Sequence, residues 1–138
     1  MPMAKRRGPW NNRPAKKTPS LTASIKAKVE TEARALIDQV LKSKYVLPPA
    51  NDQKSNYITD IGARWYRKHF YFFSVYTCPS PNAPSPTFEV KFARMEYLAN
   101  DRFALYFMRH TGEWVGTYDE LSLDECMKAI QDDPWFVP

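Results

Sequence analysis

The sequence predicts an α+β fold: a long N-terminal helix packed on a curved antiparallel sheet of about five strands, with a short C-terminal helix closing the domain. Three observations carry this reading. Apolar residues recur at helical spacing through residues 21–44, runs of strand-like sequence separated by turn signals fill residues 57–118, and a capping-box pattern opens a short amphipathic run at Ser122.

The N-terminal helix is read from Leu21, Ile25, Val29, Leu36, Ile37, Val40 and Leu41, with Ala33 filling the stripe. Lys26 with Glu30, and Glu30 with Arg34, stand one turn apart and support it, and Pro48-Pro49 prevents its continuation. A coiled-coil partner is disfavoured because the stripe spans fewer than four heptads. After a polar connector, residues 57–66 form a first strand and a turn at Arg67, Lys68 and His69 returns the chain along residues 70–77. This second run looks too uniformly apolar to have a wet face, which predicts a central strand buried on both sides. Four prolines between Cys78 and Pro86 then exclude helix and paired strand, leaving a stiff connector expected to cross the sheet edge.

The densest apolar material lies in residues 88–118. Strands are expected over 88–98, 103–109 and 113–118, broken at Ala99-Asn100-Asp101-Arg102 and at His110-Thr111-Gly112. Within the first of these, Phe88, Val90 and Phe92 place the apolar face on even positions, whereas Ala93, Met95 and Tyr97 place it on odd ones. A β-bulge near residues 92–94 would reconcile the two. Ser122 and Glu125 have capping-box spacing, Leu123, Cys126, Met127 and Ile130 give the apolar face of the closing helix, and Pro134 ends it. Trp135, Phe136 and Val137 are too apolar to hang free and are expected to fold back and cover a sheet edge or a helix end.

Charge is distributed unevenly. The net charge is +5, yet residues 1–19 alone hold six bases and no acid, so the other 14 Lys and Arg face all 15 Asp and Glu. With four prolines and Trp10 as its single large apolar residue, this segment cannot bury enough surface to offset its ordering entropy. The expected organisation is therefore a disordered basic tail over 1–19 and one α+β domain over 20–138. Two cysteines, Cys78 and Cys126, match neither a disulfide framework nor a zinc pattern, which predicts free thiols and a cytoplasmic location. No apolar run is long enough to span a membrane.

The strings Lys91-Phe-Ala-Arg-Met-Glu-Tyr97, Asn100-Asp-Arg-Phe103, Met108-Arg-His-Thr-Gly112 and Leu121-Ser-Leu-Asp-Glu-Cys126 together resemble a small bacterial family known as domain of unknown function 3024. The likeness runs from the N-terminal helix to the C-terminus and leaves the tail outside. It implies a bacterial, cytosolic protein and supplies no activity, substrate or catalytic residue.

The chemistry that remains is sparse. Lys5, Arg6, Arg7, Arg13, Lys16 and Lys17 suit phosphates and Trp10 suits a base, so the favoured function is non-enzymatic binding of nucleic acid, RNA or the ribosome, through the tail. A second reading is a protein-interaction module using the sheet face and the proline loop. Arg94, Glu96, Arg109, His110 and Trp114 form a candidate anion or ligand patch if Arg94 and Arg109 share a face, and a structural ion-pair network if they do not. The third and least favoured reading is a small enzyme using Arg94, Arg109 and His110. No cofactor or metal is expected, since the two histidines and two cysteines show no ligand spacing.

Overall fold

The computed structural model describes residues 20–138; the tail expected over 1–19 lies outside the described residues. Helix Ala23–Leu36 starts at Thr22, whose Oγ1 accepts from the Ile25 N–H at 3.1 Å and so satisfies one free end-turn donor. It runs on through a π turn, Ile37–Leu41, and a last turn, Lys42–Tyr45, making one helix over residues 23–45. The wider π turn advances less angle per residue than an α turn, which keeps Leu41 on the stripe of Val29, Ala33, Leu36 and Ile37. All five are buried.

Five strands follow as a simple antiparallel meander, in the sheet order of the chain: β1 (Tyr57–Tyr66), β2 (His69–Thr77), β3 (Thr87–Ala99), β4 (Arg102–Met108) and β5 (Trp114–Ser122). Each junction uses local turn chemistry. Arg67 takes φ 58° in the β1–β2 turn, and Asn100 and Asp101 take φ 52° and 59° between β3 and β4, the doubly positive pair of a tight hairpin. Gly112, at φ 91°, turns the chain between β4 and β5.

The expected bulge is present. Phe72 opposes Ala93 and Phe73 opposes Lys91, which leaves Phe92 as the extra residue of β3, and Phe92 and Ala93 are consecutive yet both buried. Two expectations are corrected. The proline-rich segment does not cross the sheet edge; it joins neighbouring strands, and the Cys78 N–H donates to the Pro86 carbonyl at 2.9 Å to close the loop. Strand β2 is second in the sheet and has two different faces, with Phe70, Phe72 and Ser74 buried and their alternates half-exposed. Its apolar run misled because Tyr71 and Phe73 belong to the open face, where their rings are covered by side chains and not by a second layer.

The core lies on one side of the sheet. Phe70, Phe72, Met95, Phe103 and Leu105 meet the stripe of the N-terminal helix and the face Leu123, Cys126, Met127 and Ile130 of the C-terminal helix, Leu123–Asp132. That second helix begins with a full capping box between Ser122 and Glu125. Burial pushes the Cys126 thiol up to about 12, the behaviour of an inert core thiol. Beyond it the turn Pro134–Phe136 folds back onto the sheet as expected: Phe136 inserts into the core, the Trp135 ring stands 5.0 Å from that of Phe107 on β4, and the Tyr76 hydroxyl donates to the Pro138 carbonyl at 3.3 Å, while Trp135 and Val137 keep an exposed side.

Candidate functional site: the open face of the sheet

Among the described residues no helix lies over the second face of the sheet, and strand alternation decides what it displays. From β1 come Gly62, Arg64 and Tyr66; from β2, His69, Tyr71 and Phe73; from β3, Glu89, Lys91, Arg94 and Glu96; from β4, Tyr106; and from β5, Trp114 and Gly116. The register sets cations beside rings. Arg94 opposes Tyr71 on one side and Tyr106 on the other.

The Arg94 guanidinium carbon lies 4.3 Å from the centroid of Tyr106 and 5.1 Å from that of Trp114, and Trp114 in turn stands 5.8 Å from Tyr71. Arg64 covers Phe73 at 4.2 Å, and Lys91 stands 5.5 Å from Tyr71. Such pairs are attracted through the ring quadrupole, each by about 0.5–1 kcal/mol at exposed sites. Glycines make room for the rings: Phe73 lies against Gly62 and Tyr106 against Gly116, each on the facing position of the next strand.

Two carboxylates complete the face. Glu89 takes bidentate hydrogen bonds from Arg64, which holds its pKa below the usual carboxylate range while raising that of the guanidinium. Glu96 accepts from the Tyr106 hydroxyl at 2.9 Å, and that bond, followed by burial, raises the tyrosine pKa. Arg94 has no ion-pair partner among the described residues, and its buried Nε has no hydrogen-bond partner among them. Its charge lies against the Tyr106 and Trp114 rings. His69 opposes Glu96 at the end of the face, and its pKa is lowered by burial, then by Arg94, with Glu96 acting against them and Lys68 adding to them.

The family model of Domain of unknown function (DUF3024) matches residues 19–138. The chain belongs to that family. No curated protein and no solved structure matches it. In this DUF3024 chain the patch residues separate. Arg94, Glu96 and Trp114 lie on the open face, whereas Arg109 and His110 sit in the turn between β4 and β5 and line a cleft of about 460 Å³ with Val90, Phe92 and Trp135; Arg109 is 3.9 Å from Glu113. The cross-strand neighbour of Arg94 on β4 is therefore an aromatic ring, not a second guanidinium.

Lys5, Arg6, Arg7, Trp10, Arg13, Lys16 and Lys17 lie outside the described residues. Sequence reasoning missed Arg64, Lys91, Tyr71 and Phe73 as members of one surface. No alternation of β2 marked them, since Phe70 and Phe72 of the core are as aromatic as Tyr71 and Phe73 of the open face, and only the strand register separates the two. Among the described residues no three His, Cys, Asp or Glu residues gather in a metal-holding group, and no helix is long and apolar enough to cross a membrane.

Proposed function

We propose that this protein binds single-stranded nucleic acid, RNA foremost, through the basic segment 1–19 and the open face of the sheet acting on one strand. The observation that carries the reading is the set of cations stacked on half-exposed rings, centred on Arg94 between Tyr106 and Trp114. Aromatic rings and guanidinium planes both stack on unpaired bases, and cations among them offset the phosphates. With its β1–β2 turn the face holds the bases Arg64, Arg67, Lys68, Lys91 and Arg94 and the acids Glu89 and Glu96, while Asp60, opposite Val75, is paired with Lys42.

The first turn of the N-terminal helix lies near one end of the face. Trp65 Nε1 donates to the Lys26 carbonyl at 3.3 Å, tying the first turn of the N-terminal helix to the end of β1 beside Arg67 and Lys68. We take register shifts in all four strand pairs to bend the sheet about that helix, leaving the outer face convex and open to an extended strand. The reading also takes the protein to be cytoplasmic, in keeping with two unbridged thiols.

The test is binding of a fluorescent single-stranded RNA across a salt series. Six tail contacts alone would set a ceiling of roughly four on the fall of log affinity per log unit of salt. The full chain should exceed that ceiling. Replacing the six tail bases by Ser should lower the slope and leave a residual affinity that Arg94→Ala with Trp114→Ala removes. Absence of binding at low salt would refute the proposal and favour a protein ligand for the same face.

A further inference from the structure

Strand β3 outruns its neighbour. Residues 93–99 run beside β4, but residues 87–91 pair only with β2 and the bulge residue Phe92 pairs with neither strand, so nearly half of β3 presents a free edge among the described residues. Residues 87–91 are all exposed, and Phe88 and Val90, on the helix side of the sheet, are each 39% exposed. An exposed apolar edge is a template for another strand.

The order of side chains along this edge is self-complementary. Phe88, Glu89, Val90, Lys91 and Phe92 read apolar, acid, apolar, base, apolar, and the reverse reading is the same with the charges exchanged. We propose that this edge pairs antiparallel, about Val90, with the same edge of a second copy of the chain. Glu89 then stands opposite Lys91 of the second copy, and Lys91 opposite its Glu89, on the outer face. On the helix side Val90 meets Val90, and Phe88 meets Phe92 beside the cleft of about 460 Å³ bounded by Met108, Arg109 and Trp135.

Other registers are worse. A one-residue slip turns Phe88 and Val90 onto the opposite side from their counterparts, and a two-residue slip sets Glu89 on Glu89 or Lys91 on Lys91. The arrangement is isologous, with its two-fold axis normal to the sheet, so the open faces of both copies point the same way.

Sedimentation equilibrium of the full chain tests this. The parent should show a monomer–dimer equilibrium. Glu89→Lys and Lys91→Glu should each weaken the dimer about tenfold or more, because each sets two like-charged pairs across the two-fold. The double variant, with the charges exchanged, should regain the parent affinity to within about threefold. Mixing the two single variants should likewise restore association, as a heterodimer in which every pair is opposite in sign. Thermal unfolding of each variant separates a lost fold from a lost interface, and Lys91→Glu breaks no ion pair among the described residues. A monomeric parent, or single variants that neither the exchange nor the mixture rescues, would overturn the proposal.

Discussion

Phe73 and Tyr106 each lie across a glycine of the neighbouring strand, but the two glycines are not equivalent. A Cβ on Gly62 would come within 2.6 Å of Phe73 Cζ, whereas one on Gly116 would meet Tyr106 at an ordinary 3.5 Å. Gly62→Ala must therefore tilt a ring that Arg64 covers, and should lower stability by about 1 kcal/mol, the lower end of the cost of overpacking. Gly116→Ala should stay within about 0.5 kcal/mol of the parent. Denaturant unfolding of the two variants measures both. His69 makes a prediction of a different kind. Its pKa in the folded chain lies below the ordinary 6.5, so at pH values just below 6.5 the unfolded chain binds more protons than the folded one. Stability should then fall as the pH is lowered from 6.5 through the depressed value and be free of this penalty above 6.5. His69→Gln should flatten that part of the stability–pH curve, and an unchanged slope would mean that some other group causes it.

The elements of this chain differ in how plainly their residues announce them. Ser122 and Glu125 specified the start of the C-terminal helix because a capping box is a short-range device that needs no tertiary partner, and its hydrogen bonds are present at 2.8 and 3.1 Å. Ser122→Ala should cost about 1 kcal/mol, measured by thermal or denaturant unfolding, since it leaves the Glu125 N–H without its cap. The bulge at Phe92 was legible for a similar reason: a change of apolar parity inside one strand has few other solutions. The faces of β2 were not legible, because Tyr71 and Phe73 are as apolar as Phe70 and Phe72, and only the register against Arg94, Lys91 and Gly62 shows which rings face cations and which face the core. The same blindness separated Arg94 from its partners. A guanidinium is expected to seek a carboxylate, and here it lies between Tyr106 and Trp114.

For the molecule as a whole, the open face and the free edge both belong to one architecture, a single sheet whose helices, among the described residues, lie on one side. A three-layer fold would have covered Tyr71, Arg94 and Tyr106, and a β4 as long as β3 would have closed the edge at residues 87–92. Paired about Val90, two copies would set their open faces side by side, so an extended strand of nucleic acid could cross from one to the other and gain avidity without a new contact. Among the described residues the buried cluster begins at Val29 and ends at Phe136, within the 19–138 span of the family match, and the first helix has its cap in Thr22. Deleting residues 1–18 leaves all of these core and capping groups in place. It does remove six positive charges of the net +5, leaving the remainder at −1. The unfolding free energy should change by no more than about 0.5 kcal/mol, as for surface changes in general, while the salt dependence of RNA binding should drop steeply. A larger loss of stability in the truncated chain would show that the segment packs on the domain, and would make its charges part of the fold as well as of the binding surface.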